Sequence, residues 1–285
     1  MKKLHKHIHY HTTRDGFNVG CIVGETGVIS IDLPMSADET RDWKAMIATL
    51  TQQPLRAVVY TSADRVSFEA IEAVDTAVVI QESARAQLYT PVEVASMNPF
   101  DSSVTMIAPA QNKLPELSFS DSTTLVLGND KHPLYVDVVH QGGHSNGSVF
   151  VYARDTGVVF AGEHIAVDQP PLIAQGDFAC WHDVLTSLKR NKKVSIVVPG
   201  HGAPGSAAIG NDTLDYIRQA TTKVKAHIRA KRGRNEIVTL IPDMLKHYNL
   251  TDKTAQKISV NLDIVRLNVR AGLERLFDDL QVEVQ

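Results

Sequence analysis

Apolar residues in the first half of the chain fall into short β-branched runs that alternate with stretches of helical spacing. Residues 18–23 and 28–31 flank a Gly-Glu-Thr-Gly tetrapeptide, which predicts a β-hairpin. Residues 36–51 have helical spacing, and Ser36 followed by Glu39 matches a capping box. Further on, strand patterns at 55–60 and 77–80 alternate with helical patterns at 67–74 and 82–88. Such alternation is typical of an α/β protein.

The second half of the chain begins with strand patterns and ends with helical ones. Strands are predicted at 123–127, 134–140, 148–153, 158–161 and 194–198, and helices at 178–190, 214–230, 236–246, 254–258 and 261–280. Between the halves, residues 90–115 contain four prolines and little periodicity, which indicates a long irregular excursion of the kind that can cover a site. The change of pattern near residue 211 predicts one domain over 1–211 and a helical extension or small subdomain over 212–285.

Composition describes an ordinary globular protein and excludes several other classes. The 285 residues are 43% hydrophobic and carry a net charge of −3, unlike a disordered or fibrous chain. Two cysteines are too few for a disulfide framework or a CxxC metal cluster. No apolar run reaches the roughly 18 residues of a membrane span, and the N-terminus lacks the apolar core of a signal peptide. We therefore expect a cytoplasmic protein without a membrane partner.

Three predicted strands end in the same way, with a glycine next to a potential metal ligand. The ligands are His144 after Gly142-Gly143, Glu163 after Gly162, and His201 after Gly200. Ligands bind beyond the carboxyl ends of strands in α/β sheets, and two imidazoles with a carboxylate suit zinc, iron or manganese. The alternative is that His144 and His201 only form hydrogen bonds within tight loops.

These endings resemble the later motifs of the metallo-β-lactamase superfamily. The matching stretches are Gly-Gly-His144-Ser-Asn-Gly-Ser, Val-Phe-Ala-Gly-Glu163 and Val-Val-Pro-Gly-His201-Gly, and the early hairpin ends in Asp32 like that family's opening strands. The resemblance covers roughly residues 15–210. It implies an αββα sandwich with its site at one edge of two sheets. Members are mostly hydrolases whose one or two metal ions activate water.

The sequence departs from the family at its main ligand motif, His-x-His-x-Asp-His. The four ligand positions here are Ser62, Asp64, Val66 and Ser67. Val66 cannot bind a metal ion and serine is a poor zinc ligand, so the usual two-metal site is not expected. Two hypotheses remain open, a rebuilt site with one metal ion and a metal-free protein.

In the first hypothesis, Asp64, His144, Glu163 and His201 bind one zinc, iron or manganese ion. Asp64 and Glu163 are the catalytic candidates, with Glu163 as a possible general base, and the small-molecule substrate is an ester, thioester or lactone. In the second hypothesis the chain is a non-catalytic, metal-free binding or structural protein on the same fold.

Two further clusters of residues suggest other functions. Alternating histidines on one strand would share one face, where imidazoles could bind a metal ion; the candidates are His5, His7, His9 and His11. The simpler interpretation is a solvated edge strand. Residues 223–234 contain six Lys or Arg and no acid, which could bind nucleic acid, or could simply be a solvated helix end.

Overall fold

The structure is a computed structural model of the chain. It describes residues 1–89, 92–95, 104–107, 115–246, 248 and 262–282. The predicted helix at 254–258 lies outside these residues. Within them, strands and helices alternate through the first half and helices dominate after residue 211, as the sequence pattern predicted.

The first sheet contains the early hairpin and the alternating strands that follow it. Its seven strands are ordered β1-β2-β3-β4-β5-β6-β9. Their bounds are β1 Lys2–His5, β2 Ile8–Thr12, β3 Asn18–Val23, β4 Val28–Ile31, β5 Leu55–Val59, β6 Ala77–Gln81 and β9 Leu117–Phe119. Strands β3 and β4 pair antiparallel, which confirms the predicted hairpin, whereas β4, β5, β6 and β9 pair parallel.

The second sheet holds the three predicted strand endings. Its strands run in the order of the sequence: β10 Ser122–Val126, β11 Tyr135–His140, β12 Val149–Ala153, β13 Val158–Ala166 and β14 Ile196–His201. The first three pairings are antiparallel and β13–β14 is parallel. Within the predicted excursion at 90–115, the described residues form an antiparallel pair, β7 Val92–Ala95 and β8 Val104–Ile107. The expectation of an irregular segment is therefore wrong for these eight residues.

Helices cover the outer face of each sheet. Those against the first sheet are α1 Ala37–Ala48, α2 Phe68–Val74 and α3 Glu82–Gln87. Those against the second sheet are α4 Phe178–Arg190, α5 Asn211–Arg229, α6 Ile241–Lys246 and α7 Leu262–Val282. Ser36 caps α1 by accepting a hydrogen bond from the Glu39 amide at 3.3 Å, as its position in the sequence predicted.

Three groups of buried residues define the layers. One group fills the space between the two sheets, with members such as Ile31 and Phe160. A second joins the first sheet to α1–α3 through Trp43, and a third joins the second sheet to α4–α7 through Trp181. The order of layers is therefore helix, sheet, sheet, helix, which confirms the αββα sandwich.

The C-terminal helices share their core with the second sheet. Helix α7 packs on α5, where the rings of His227 and Phe277 meet edge to face with centroids 6.1 Å apart. Residues on both sides of position 211, among them Val197 and Leu273, belong to the same buried group. In the part of the chain described here, no helix has the length and apolar character needed to span a membrane.

Candidate functional site

Two candidate residues, Glu163 and His201, lie on the paired parallel strands β13 and β14. Strand β13 does not end at residue 161 as predicted, because it passes an irregularity at Gly162 and continues to Ala166. Gly162 has a φ of +51°, and a Cβ there would lie 2.4 Å from Thr61 Oγ1. A glycine is therefore needed at the point where β13 approaches the end of β5 and turns Glu163 into the site.

Glu163 and His201 form a buried acid–base pair. His201 Nε2 lies 3.5 Å from Glu163 Oε1, and the glutamate side chain is only 2% exposed. Burial alone would raise the pKa of Glu163, but the hydrogen bond from His201 and the charges of His201 and Arg65 lower it to about 2. The other imidazole nitrogen, Nδ1, lies 3.1 Å from the Gly16 carbonyl oxygen. These neighbours favour the ionised form of the Glu163 carboxylate.

The other two candidates, His144 and Asp64, form a second and looser pair. His144 is buried, and its Nε2 lies 3.9 Å from Asp64 Oδ2, which is beyond hydrogen-bond range. Its Nδ1 faces Ser148 Oγ at 3.2 Å. Asp64 lies on a 3₁₀ turn, Ala63–Arg65, and its Oδ1 accepts a hydrogen bond from the exposed side chain of Gln175 at 3.2 Å. Asp64 and Gln175 therefore form a polar rim above the buried His144.

Asp32 supports the backbone below the site. Its two carboxylate oxygens accept hydrogen bonds from the Thr61 amide at 2.9 Å and the Thr61 hydroxyl at 2.7 Å. Complete burial raises the pKa of Asp32 to about 6, although both hydrogen bonds act in the opposite direction. Asp32 thus links the ends of β4 and β5 and places the segment that begins at Ser62.

His164 turns away from its neighbour Glu163. Its ring is buried against Phe150, and its Nδ1 and Nε2 lie 2.9 Å and 2.7 Å from the carbonyl oxygens of Ala161 and Gly142. Burial lowers its pKa to about 4. His164 therefore connects β13 to the glycine loop that carries His144, and it does not face Glu163.

Arg65 is the main site residue that our sequence analysis missed. It is 6% exposed, and its guanidinium donates to Asp15 Oδ2 from two nitrogens at 3.2 and 3.3 Å. The guanidinium also lies 3.6 Å from the centre of the Phe17 ring, and the edge of that ring meets His201 at a centroid distance of 5.4 Å. The available signal was an arginine among the replaced ligand positions, in the segment that follows the buried strand β5.

The side chains present do not fit the metal site that the family resemblance implies. Ser62 is buried with no hydrogen-bond partner at its hydroxyl, and Val66 has no donor atom. The Ser67 hydroxyl donates to the Met35 carbonyl at 2.6 Å and accepts from the Ala70 amide, so it caps α2. Among the described residues, no three His, Cys, Asp or Glu side chains form a group that could hold a metal ion. The four candidate ligands lie instead in the two pairs described above.

The N-terminal histidines do not form a row on one strand. The chain reverses at residues 6–7, so His5 ends β1, His7 lies in the turn, and the other two histidines lie on β2. His7 Nδ1 faces the Val23 carbonyl oxygen at 3.0 Å, and the His11 ring stacks on Trp43. The turn between the strands, which the alternating pattern concealed, is the reason that the single-strand interpretation is wrong.

The αββα sandwich, with candidate residues at one end of both sheets, places the chain in a known class of fold. No family model matches the chain, and no curated protein matches it in sequence. Among solved structures, a metallo-β-lactamase from Pontibacter korlensis superposes with a TM-score of 0.60 at 20% identity, over 76% of this chain and 97% of that one. DIM-1 metallo-β-lactamase superposes with a TM-score of 0.60 at 18% identity, over 77% and 96%.

The chain has the metallo-β-lactamase fold, as the sequence motifs indicated. Identities this low establish the architecture alone. Helix α7 belongs to the helical layer on the second sheet, where it shares a group of buried residues with α4 and α5. Whatever chemistry the chain performs has to be inferred from its own side chains.

Proposed function

We propose that this chain is a metal-independent protein on the metallo-β-lactamase fold, which binds a small polar molecule at the rim formed by Asp64 and Gln175 and does not hydrolyse it. The observation that carries the proposal is the pairing of the candidate ligands. His144 faces Asp64 at 3.9 Å and His201 faces Glu163 at 3.5 Å, so each imidazole has its own carboxylate. Three or four donors that converge on one point are what a metal site needs.

The geometry of each pair supports this function. The buried carboxylate of Glu163 faces the His201 imidazole at 3.5 Å, and a polar partner of this kind is how buried charges are normally accommodated. Asp64, by contrast, has a side chain that is 28% exposed and a neutral amide partner, Gln175. Its carboxylate oxygens and the exposed amide of Gln175 are polar atoms that a ligand from solvent can reach.

Elemental analysis of protein purified without added metal tests the first part of the proposal. We expect far less than one equivalent of zinc, iron or manganese, and no change in the variant His144→Ala/His201→Ala. The matched control is His132→Ala/His182→Ala, which removes two surface histidines. One equivalent of metal that is lost only from the first variant would overturn the proposal. It would support instead the mononuclear hydrolase with Asp64 and Glu163 as catalytic residues.

Hydrolysis assays with a simple ester, a thioester and a lactone test the second part. We expect rates no higher than those in buffer alone, with and without added zinc, manganese or iron.

Ligand binding is tested by a thermal-shift screen of small polar compounds. A compound that stabilises the protein but not Asp64→Ala supports the rim as its site. Equal stabilisation of Asp64→Ala, with the surface variant Asp183→Ala as control, would contradict it.

A further inference from the structure

The edges of the two sheets are not equally protected from pairing with another strand. On the first sheet, β1 carries Lys2 and Lys3 and has an irregularity between Lys3 and His5, and β9 at the opposite edge has only three residues. On the second sheet, Val197 of β14 exchanges two hydrogen bonds with Gly205, at 2.7 and 3.1 Å, which cover part of its outer edge. Lysines, irregularities, short strands and covering loops are the usual means of protecting an edge. The fourth edge, β10, is five residues long and contains no lysine or proline.

The pairing of β10 with β11 determines which backbone groups of β10 face outward. The Leu127 amide donates to the Leu134 carbonyl at 2.9 Å, and the His140 amide donates to the Asp121 carbonyl at 2.8 Å. Hydrogen-bonded and non-hydrogen-bonded residues alternate along an antiparallel pair, so the odd-numbered residues of β10 bond to β11. The even-numbered residues direct their N–H and C=O groups to the open side, and in the described part of the chain no residue bonds to them there; they are Ser122, Thr124 and Val126.

The side chains of these three residues leave room for another strand to pair. All three are exposed and uncharged, and Val126 is 52% exposed. The Thr124 hydroxyl donates to Asp137 Oδ1 of the neighbouring strand at 2.7 Å, so it is turned toward β11 and away from the open edge. Threonine and valine also suit the pleated surface of a sheet. An exposed edge with free N–H and C=O groups and no charge is a template for a further strand.

We propose that β10 pairs antiparallel with β10 of a second copy of this chain, with Thr124 of each copy on a shared two-fold axis. The proposal is independent of the proposed ligand binding and goes beyond it. The edge is complementary to itself in charge: amide N–H and carbonyl groups carry partial charges of opposite sign, and in this register Ser122 faces Val126 of the second copy, so each N–H meets a C=O. Although the whole chain carries a net charge of −3, the strand itself has no charged side chain to repel its copy. Such a contact uses the same surface on both copies and therefore closes at a dimer.

Sedimentation equilibrium of the natural chain over a range of concentrations tests the proposal. We expect a reversible monomer–dimer equilibrium. Thr124→Pro removes an N–H that points outward, so the pairing of β10 with β11 should persist while both hydrogen bonds donated across the axis by this residue are lost. The midpoint of dimerisation should rise to about tenfold higher concentration or more. The matched control Thr124→Val keeps the N–H and should dimerise like the natural chain. A natural chain that stays monomeric, or an unchanged midpoint in Thr124→Pro, would overturn the proposal.

Two charge variants test the two-fold register directly, and they keep the proposal falsifiable if Thr124→Pro does not fold. Residues 122 and 126 face each other twice across the axis, so like charges there should repel. Ser122→Lys/Val126→Lys and Ser122→Glu/Val126→Glu should therefore each be monomeric at concentrations where the natural chain is a dimer. An equimolar mixture of the two should form a heterodimer, measured by native mass spectrometry, because opposite charges then meet. A mixture that stays monomeric contradicts the register. Binding of a labelled peptide of residues 120–128 to a natural chain that does not itself dimerise would place a different extended partner on this edge and would also refute the proposal.

Discussion

A substitution at Gly272, in the middle of α7, tests how closely the C-terminal helix packs against the loop that carries Gln175. The loop before α4 carries Gln175, the partner of Asp64, and α7 holds that loop through two side chains, one turn before and one turn after Gly272. Asn268 accepts from the Ala174 amide at 3.2 Å, and Arg275 donates to the Gln175 carbonyl at 2.9 Å. Between these contacts, Gly272 lies directly on Ile173.

The close approach sets the sign and size of the effect of Gly272→Ala. A Cβ at this position would lie 2.4 and 2.7 Å from two Ile173 side-chain carbons and 2.8 Å from the Ile173 carbonyl oxygen. Carbon atoms normally approach to about 3.5–4.0 Å, and overpacking of this kind costs about 1–3 kcal/mol. Alanine in a helix interior is intrinsically better than glycine by about 1 kcal/mol. Because Ile173 is fully buried and its backbone cannot move freely, we expect a net loss of about 1 kcal/mol.

Urea-induced unfolding followed by circular dichroism measures this difference in the free energy of unfolding. Ala271→Gly at the exposed neighbouring position is the matched control, and it should cost about 1 kcal/mol through helix propensity alone. Stabilisation by Gly272→Ala that is as large as the destabilisation by Ala271→Gly would contradict this expectation. That result would mean that α7 does not approach the loop as closely as the structure shows.

Three other measurements follow from the structure. Because the folded state holds the proton of Asp32 more tightly, with a pKa of about 6 against 3.8, the natural chain should lose up to about 3 kcal/mol relative to Asp32→Asn as pH rises from about 3 to about 7. A thiol reagent should modify Cys180 and not Cys21 in the folded protein, since Cys21 is fully buried with its pKa raised to about 12. RNA affinity should not fall steeply with salt, because Lys223 and Arg234 of the basic segment are engaged in ion pairs.

Each of these expectations has an outcome that contradicts it. A pH dependence of stability that is identical in Asp32→Asn would show that Asp32 does not hold a proton in the folded state. Modification of two thiols per folded chain, or of one thiol that persists in Cys180→Ser, would place Cys21 at the surface. An RNA affinity that decreases strongly between low and physiological salt would revive the nucleic-acid hypothesis for residues 223–234.

Most elements of the fold were predictable because their signals are local. Helix α4 has the bounds 178–190 that its apolar spacing predicted, and its N-cap is Asp177, whose side chain accepts from the Cys180 amide. The prediction of a helix at 236–246 was less accurate, because the segment begins as a 3₁₀ helix at Arg234–Leu240 and becomes α-helical only at Ile241. Strand β13 was predicted too short, because its continuation past Gly162 depends on pairing with β14.

The candidate site was predictable only as a set of residue types. The glycines beside His144, Glu163 and His201 marked the ends of buried strands, and the family motifs indicated a common location. What a sequence pattern does not contain is the partner of each side chain. Asp64 meets His144 across 80 positions of the chain, and its other partner, Gln175, is 111 positions away.

The amino-acid pattern predicted most of the strands and helices, because periodic burial and glycine turns are properties of neighbouring residues. The αββα sandwich was what the family resemblance of the motifs implied. The sequence by itself also determined that the usual ligand motif is replaced. Only the tertiary structure decided that the remaining donors form two pairs, and that Arg65 lies buried between Asp15 and Phe17. The reason is physical: the charge state and partner of a buried group depend on which sheets and loops surround it, and these come from distant parts of the chain.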